Sequence, residues 1–435
     1  MKETALHNIR TETERAFIMG IQTRQQKRWE IEENLSELSA LAVTAGAMVV
    51  DQIIQEKDRY DAAFLIGKGK AEEIAIRIEE ENITLFIFDD ELSPAQIRNL
   101  VQLFNIKVID RPTLILEIFA LHALTKEART QVELAQLNYL LPRLTRQWTH
   151  LSRQVGGIGT KGPGETQLET DRRLIRTRIA HLSSELKKIE RQRHIQQKQQ
   201  RNFIRVALVG YTNAGKSTIM NALTNAKANI EDKLFATLDT TTRKYFLNKS
   251  TSVLLSDTVG FIRKLPHHLI ASFRATLMQT IEADVLLHII DISNPVHDEH
   301  IKTVNTILQE LGVFNLPTIF IFNKVDKIIS DGLIKQTHAK YPDAIFISAK
   351  KKIRLDKLTD RLLSIIKKQL FIKTFSLNYT QTDKLKKIGE IATIVDRTYH
   401  NNSIKLKVFV NKRNAEQLER VISGRNYTSV TRDFS

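Results

Sequence analysis

The chain contains no cysteine. That excludes disulfides, thiolate metal sites and a cysteine nucleophile, and it suits a reducing compartment. Long hydrophobic runs are missing as well. The longest, residues 40–50, is interrupted by Thr44 and has about half of the ~20 residues a membrane-spanning helix needs. The opening MKETALHNIR has no apolar segment of the kind a secretory signal carries. The expectation is a cytoplasmic protein without stable membrane insertion. Acidic charge is also short: 49 Asp and Glu face 65 Lys and Arg, a formal net charge of +16. Such an excess favours polyanions, either nucleic acid or an anionic membrane surface. The rest is ordinary for a globular chain, with 42% hydrophobic and 26% charged residues. At roughly 100–200 residues per domain, 435 residues predict three or four domains.

Residues 13–115 read as strands alternating with helices. Residues 16–22, 47–55, 63–66, 84–88 and 107–109 are β-rich, and Ile31, Leu35, Leu38 and Ala42 recur at helical spacing. Residues 71–81 and 95–104 read as helices, the second with Ser93 as N-cap and Pro94 in its first turn. This alternation implies a small parallel α/β domain over residues 1–115. Over residues 116–202, Ile175, Ile179, Leu182, Leu186 and Ile189 step by four and three, a coiled-coil seam. Leu134, Leu137 and Leu141 share that spacing, so an antiparallel helical hairpin is expected. Its connection, residues 142–166, holds five glycines and two prolines. From Arg172 to Arg205 eleven Lys or Arg stand against two Glu, too unequal to neutralise itself. An α/β pattern resumes over residues 203–370. Residues 371–435 form a small C-terminal α/β domain, with strands at 391–396 and 404–410 and a helix at 415–421.

The chemistry is concentrated in the third domain. A buried-strand run, residues 205–209, leads into Gly210-Tyr211-Thr212-Asn213-Ala214-Gly215-Lys216-Ser217, which matches GxxxxGK[ST]. Phosphates need backbone N–H donors at close range, hence glycine, and a helix N-terminus behind them. Lys216 would reach the β- and γ-phosphates, and Ser217 would ligate Mg²⁺. A second strand run ends in Asn323-Lys324-Val325-Asp326. The Asp326 carboxylate can accept from guanine N1–H and the 2-amino group. Adenine lacks those donors, so the unpaired carboxylate would reject it. Asn323 would brace the base and the phosphate loop. Another strand ends in Ser348-Ala349-Lys350, for guanine O6. Residues 253–256 run into Asp257-Thr258-Val259-Gly260. There Asp257 would hold Mg²⁺ through water, and the Gly260 N–H would sense the γ-phosphate. Motifs in this order at strand ends predict a Ras-like P-loop GTPase domain that binds GTP and GDP.

Two points stay open on the residues alone. The segment Leu234-Phe235-Ala236-Thr237-Leu238-Asp239 and the three threonines after it offer Thr237, Thr240, Thr241 and Thr242 as the Mg²⁺-contacting switch threonine. Phe261 occupies the position where Ras-like enzymes orient water with glutamine. It either faces the site or turns inward as core. Either way intrinsic hydrolysis should be slow.

The motifs GYTNAGKST, LFATLD, DTVGFIRKLP, VELAQLNYLLPRL and GGIGTKGPGETQLETDRR resemble the HflX family of translation-associated GTPases, over about residues 15–370. Thr240 departs from the family's usual proline. The resemblance implies that Thr237 is the switch threonine, with Lys216 and Gly260 completing the catalytic set and Ser217, Thr237 and Asp257 serving the metal. It implies a large-ribosomal-subunit partner, hydrolysis stimulated by ribosomes, and splitting or rescue of stalled ribosomes by a protein monomeric off the ribosome.

The residues lend independent support. Arg143, Arg146, Trp148, His150 and Arg153 interleave an aromatic with basic groups, as recognition of looped RNA requires. Gly156 and Gly157 would let backbone approach rRNA, with Lys161, Arg172 and Arg173 adding charge. The alternative is a disordered linker. Residues 65–70, LIGKGK, read as a strand, a Gly-rich turn and a helix, more an ordinary βα connection than a second phosphate site. His297 and His300 form a lone HxxH expected at the surface. The rival functions are a large-subunit assembly GTPase and a membrane-surface GTPase. The seam without Trp or Phe at residues 168–190 argues against the latter.

Overall fold

The computed structural model describes residues 13–147, 163–198, 203–224, 234–235, 241–248, 251–264, 282–313, 315–328, 331–381 and 383–423. The chain divides into two compact units. The first holds residues 1–186 together with two later stretches, of which residues 234–235 and 263–264 are described.

Within the first unit, β1 (Arg15–Gln22) is buried from Ala16 to Ile21. A strand apolar on both faces belongs in the middle of a parallel sheet covered by helices. It pairs in parallel with β2 (Met48–Glu56) on one side and β3 (Leu85–Phe88) on the other, and β4 (Lys107–Asp110) follows. The order is β2-β1-β3-β4. α1 (Arg28–Thr44) buries Ile31, Leu35, Leu38 and Ala42, the positions its periodicity selected. α2 (Lys68–Glu80) and α3 (Pro94–Phe104) cover the sheet's core. α3 starts with a capping box: Ser93 Oγ accepts from the Gln96 N–H, and Gln96 Oε1 accepts from the Ser93 N–H.

Residues 63–66 are not a strand. Asp61 Oδ1 accepts the N–H groups of Ala63 and Phe64, and Asp61 and Leu65 exchange both backbone hydrogen bonds. Local side-chain capture closes the segment into a turn, with Leu65 at φ 66°. The apolar run that suggests a strand instead points Leu65 and Ile66 into the core.

α4 (Arg111–His122) leads to the hairpin helices α5 (Lys126–Gln147) and α6 (Pro163–Lys198). Ion pairs Lys126–Glu185 and Glu133–Arg178 run in opposite chain directions, so the pair is antiparallel. Leu182 and Leu186 are buried, and Ile175 and Ile179 half-buried, as the seam predicts. α5 differs. Its deepest apolar residues are Ala128, Val132, Ala135 and Tyr139, with Gln131 buried beside them, whereas Leu134, Leu137 and Leu141 are only half-buried. The helix serves a second neighbour, packing on α3 and α4, and that contact takes the deeper face.

The second unit contains a six-stranded sheet in the order β10-β9-β8-β5-β7-β6. Its strands are β5 (Ile204–Gly210), β6 (Thr241–Phe246), β7 (Ser252–Asp257), β8 (Val285–Asp291), β9 (Thr318–Asn323) and β10 (Ile345–Phe346). All pairings are parallel except β6 with β7 at the edge. α7 (Lys216–Thr224), α8 (His297–Glu310), α9 (Asp331–Lys340) and α10 (Leu355–Gln369) accompany it. β11 (Leu370–Asn378), α11 (Lys384–Ile391), β12 (Thr393–His400), β13 (Ser403–Asn411) and α12 (Lys412–Ser423) follow. They build an antiparallel sheet ordered β11-β13-β12 around Ile388, Leu406, Val408 and Leu418. The strand read from residue 391 starts at Thr393, because Ile391 closes α11. The protein is thus a multidomain α/β chain with a P-loop nucleotide domain, a helical hairpin and a small C-terminal sheet.

Candidate functional site

In the second unit, β5, β7, β9 and β10 all end at the carboxyl edge of one parallel sheet, and each carries a motif there. Brought together are residues 210–217, 257–260, 323–326 and 348–350. After β5 the chain turns through Asn213 at φ 57° and Gly215 at φ 94° and enters α7. A Cβ at Gly215 would lie 2.3 Å from Asn323 Nδ2, so contact with the base-side motif requires glycine as much as the dihedral does.

Lys216 is buried, and its ammonium donates to the carbonyls of Gly210 at 3.2 Å and Tyr211 at 2.8 Å. Burial lowers its pKa to about 8, with Asp257 opposing the shift and Lys324 adding to it. Ser217 Oγ donates to Asp257 Oδ2 at 2.5 Å. The other oxygen, Oδ1, is buried and has no hydrogen-bond partner among the described residues. Burial raises the Asp257 pKa, against the Ser217 hydrogen bond and the Lys216 charge. An orphaned carboxylate oxygen beside a serine hydroxyl fits a hard cation, and Mg²⁺ commonly takes only one or two protein oxygens. Among the described residues no group of three or more His, Asp or Glu could hold a metal by itself.

Thr258 Oγ1 donates to the Leu208 carbonyl at 2.6 Å, pinning β7's end to β5. Phe261 is buried, so the aromatic that replaces a catalytic glutamine is core. Its N–H donates to Gly210 O at 3.1 Å, and its carbonyl accepts from the Thr212 N–H at 2.8 Å. Gly260 lies so near the phosphate loop that a Cβ would sit 2.8 Å from Thr212 Cα.

On the base side one amide ties three motifs. Asn323 Nδ2 donates to Ala214 O and Oδ1 accepts from the Ala349 N–H, both at 3.0 Å. Lys324 has φ 65° and pairs with Asp291 at 2.8 Å. A hydrogen bond from Ser348 holds the Asp326 carboxyl below the usual range, so it is an acceptor at neutral pH. Val325 N–H donates to Ile347 O, joining the two base loops.

Sequence reasoning missed several supporting groups. Tyr211 stacks on His300, with centroids 3.7 Å apart and planes 6° apart. His297 is buried and its Nδ1 lies 2.9 Å from Asn294 O. The HxxH pair is therefore split: His297 is buried, and His300 is half-buried against Tyr211. A buried imidazole under an apolar face and a ring stack both leave the same spacing as an exposed pair. His288 is buried in β8, where burial lowers its pKa to about 3, with Lys216 adding to the shift. Its signal was a lone polar residue inside the apolar run VLLHIID.

Other predicted residues fall elsewhere. Ala236, Thr237, Leu238 and Asp239 lie outside the described residues. Phe235, beside them, is buried in the first unit with its ring edge-on to Phe119 at 4.7 Å. Of the RNA-directed set, Trp148, Arg153, Gly156, Gly157, Lys161 and the side chain of Arg146 lie outside the described residues. Arg143 is engaged internally: it pairs with Glu91 at 2.8 Å, and its guanidinium sits 3.3 Å from the Tyr139 ring centroid. Arg172 is half-buried and Arg173 exposed on α6.

Comparison with known proteins adds three family matches: a GTP-binding GTPase N-terminal region over residues 32–120, a GTP-binding GTPase middle region over 122–201, and a 50S ribosome-binding GTPase over 205–324. The chain is similar to the GTPase HflX of Caldanaerobacter subterraneus, 44% identical over 425 residues and 96% of each chain. It is 45% identical to the GTPase HflX of Escherichia coli K12 over 340 residues, 77% of this chain and 79% of that one. A crystal structure of a GTP-binding protein from Sulfolobus solfataricus in complex with GDP matches at 27% identity and a TM-score of 0.43, covering 82% of this chain and 99% of that one.

Proposed function

The chain belongs to the HflX family of GTPases, and on that premise we propose that it works on the large ribosomal subunit, coupling GTP binding and hydrolysis to the splitting or rescue of stalled ribosomes. The observation that supports the nucleotide part best is the Asn323 amide. It joins the phosphate loop at Ala214 to the base loop at Ala349, the two places a guanine nucleotide must touch at once.

In this reading residues 213–217 present backbone N–H groups to the phosphates. Lys216 exchanges its carbonyl partners for β- and γ-oxygens, which a buried ammonium prefers. Ser217 and Asp257 would hold Mg²⁺, with Thr237 as the third contact. The metal would supply charge neutralisation between the β- and γ-phosphates. Asp326 accepts from guanine, and Ser348-Ala349-Lys350 present backbone to O6. Phe261 cannot orient water, so the free protein turns over slowly and a partner completes the site.

The +16 charge and the basic stretch from Arg172 onwards support an rRNA partner. With Arg143 engaged internally, the RNA contacts fall to the tip, residues 146–161, and to Arg172 and Arg173 on α6. The 50S ribosome-binding GTPase match supports the choice of subunit. The test is GTP turnover with and without purified large subunits at several salt concentrations. The expected result is acceleration by orders of magnitude at low salt, lost as salt rises. Turnover indifferent to subunits would sink the ribosomal reading and leave the GTPase intact.

A further inference from the structure

His297 and His300 lie in the same compact unit as the phosphate loop, and neither belongs to the phosphate, base or metal sets. The entry to α8 is fixed by Asn294. Its Oδ1 accepts from the Val296 N–H at 2.9 Å, and its carbonyl accepts from the His297 N–H at 3.2 Å and lies 2.9 Å from His297 Nδ1. The buried His297 ring stands edge-on to Phe322 of β9, with centroids 6.1 Å apart. Three residues on, and so on the same side of the helix, His300 is half-buried with its ring flat on Tyr211, centroids 3.7 Å apart. Tyr211 is the first residue after β5 and is itself buried. Phe261 holds the backbone on either side of it: the Phe261 N–H donates to the Gly210 carbonyl, and the Thr212 N–H donates to the Phe261 carbonyl. The Tyr211 carbonyl accepts from the Lys216 ammonium at 2.8 Å and from the Ala214 N–H at 3.3 Å. A rotation of that peptide would carry the carbonyl away from the ammonium.

We propose that His300 is a positioning residue for the phosphate loop: its ring, presented by a helix entry fixed through His297 and Asn294, locks Tyr211 so that the Tyr211 carbonyl holds the Lys216 ammonium in place for phosphate. This rests on reading residues 210–217 as the phosphate loop. That loop binds through backbone N–H groups and one ammonium, so its fit depends on where its backbone is held. A loop already ordered loses less conformational entropy when a ligand engages it. The face of an aromatic ring is the part of His300 that does this, because flat stacking restrains both the tilt and the rotation of the tyrosine beneath it. The brace acts on contacts to phosphates that GDP and GTP share. It therefore supports both nucleotides alike and does not set the preference between them.

The test measures dissociation constants for GDP and a non-hydrolysable GTP analogue in the full-length protein. His300→Leu keeps an apolar side chain of similar size but removes the flat ring. It should weaken both nucleotides by about 3- to 10-fold, the range of one aromatic pair. His300→Phe restores the ring without the nitrogens and should stay within about twofold of wild type. Tyr211→Leu should lose affinity as His300→Leu does, and the double variant should be no worse than the weaker single one, because both remove the same stack. Wild-type affinity in His300→Leu overturns the proposal. So does a loss confined to one nucleotide, and so does an equal loss in His300→Phe, which would assign the effect to the imidazole nitrogens. If His300→Leu does not fold, as read by its thermal transition, Tyr211→Leu against Tyr211→Phe decides by the same comparison of ring and no ring. Lys216→Ala in the same assay separates the two levels. If it binds both nucleotides as wild type does, the phosphate-loop reading fails and carries this inference with it. If it is impaired while His300→Leu binds normally, only this inference fails.

Discussion

The protein contains one parallel and one largely parallel sheet whose carboxyl edges are built from the same materials and used in opposite ways. In the N-terminal sheet, β3 runs into Asp89 and β4 ends in Asp110, both buried, and their oxygens are taken up within the protein. Asp110 accepts from the Leu92 N–H, the Thr113 N–H and hydroxyl, and the Tyr139 hydroxyl. Burial, with Asp110 adding, raises the Tyr139 pKa, so that phenol remains a donor. Asp89 serves Arg111 and Lys264. In the nucleotide sheet, β7 ends in Asp257 with one oxygen unpartnered among the described residues, and Thr212 Oγ1 is likewise unpartnered. Ligands bind at this edge of open α/β sheets. Strand-end position alone does not make a site; what distinguishes the two edges is acceptor capacity left on the strand-end carboxylates after folding.

The sharpest way to break that comparison is Lys216→Ala. If the nucleotide edge holds its groups for ligand, hydrolysis should fall by at least about 100-fold, the scale for losing one preorganised electrostatic group. The thermal transition should barely move, because the partners of the ammonium among the described residues are two carbonyls that water can serve. Single-turnover hydrolysis and a melting curve read both. Normal hydrolysis would remove Lys216 from the site. Next in size is Asp326→Asn. An amide can donate where the carboxylate accepts, so preference should pass from GTP to xanthosine triphosphate, with GTP affinity falling on the order of 100-fold. Competition binding with both nucleotides checks it. Retained GTP affinity without a gain for the xanthine nucleotide would show that Asp326 does not read the base.

The N-terminal edge predicts the converse. Asp110→Ala strands several buried donors, including the Tyr139 hydroxyl, and should cost about 3 kcal/mol of stability, the scale for breaking a buried polar network. GTP affinity should stay at wild type. Urea unfolding followed alongside nucleotide affinity makes the contrast. A loss of affinity without a loss of stability would mean that this edge, too, serves ligand.

The asymmetry between the edges was only half legible in the sequence. The nucleotide motifs could be read because backbone–phosphate chemistry demands particular residues at fixed spacing, such as Gly215 and Lys216. The N-terminal elements could be read from period, as Ile31 and Leu35 were. Capture by a particular side chain left no such mark. Leu65 is apolar like a strand residue, yet an Asp61 side chain curls its segment into a turn. Arg143 lies in a basic run that suggests RNA, yet Glu91 and the Tyr139 ring take it up. Lys264 reads as one more surface lysine until its partners from 174 and 175 residues away are known. Charge pattern is local, and the partners of Arg143 and Lys264 are not.

The last and smallest effect is in pH. In the nucleotide-free protein burial lowers the Lys216 pKa to about 8, below the ordinary lysine value of 10.5. Phosphates brought against the ammonium favour its charged form, so the pKa must rise on binding. The sign follows. Below about pH 7 both states are protonated, and nothing is exchanged. Above 8 the free protein has lost the proton that the complex keeps, so binding takes up a proton and affinity falls with rising pH, by at most about tenfold per pH unit for one group. Calorimetric titration in buffers of different ionisation enthalpy should show proton uptake near zero at pH 7 and approaching one at pH 9. Lys216→Met, which cannot titrate, should abolish the uptake whatever affinity remains. Affinity that stays flat from pH 7 to 9 in the wild type would mean that Lys216 is already charged there, its carbonyl partners outweighing burial. The nucleotide edge would then be more self-satisfied than its geometry indicates, and closer to the edge that ends in Asp89 and Asp110.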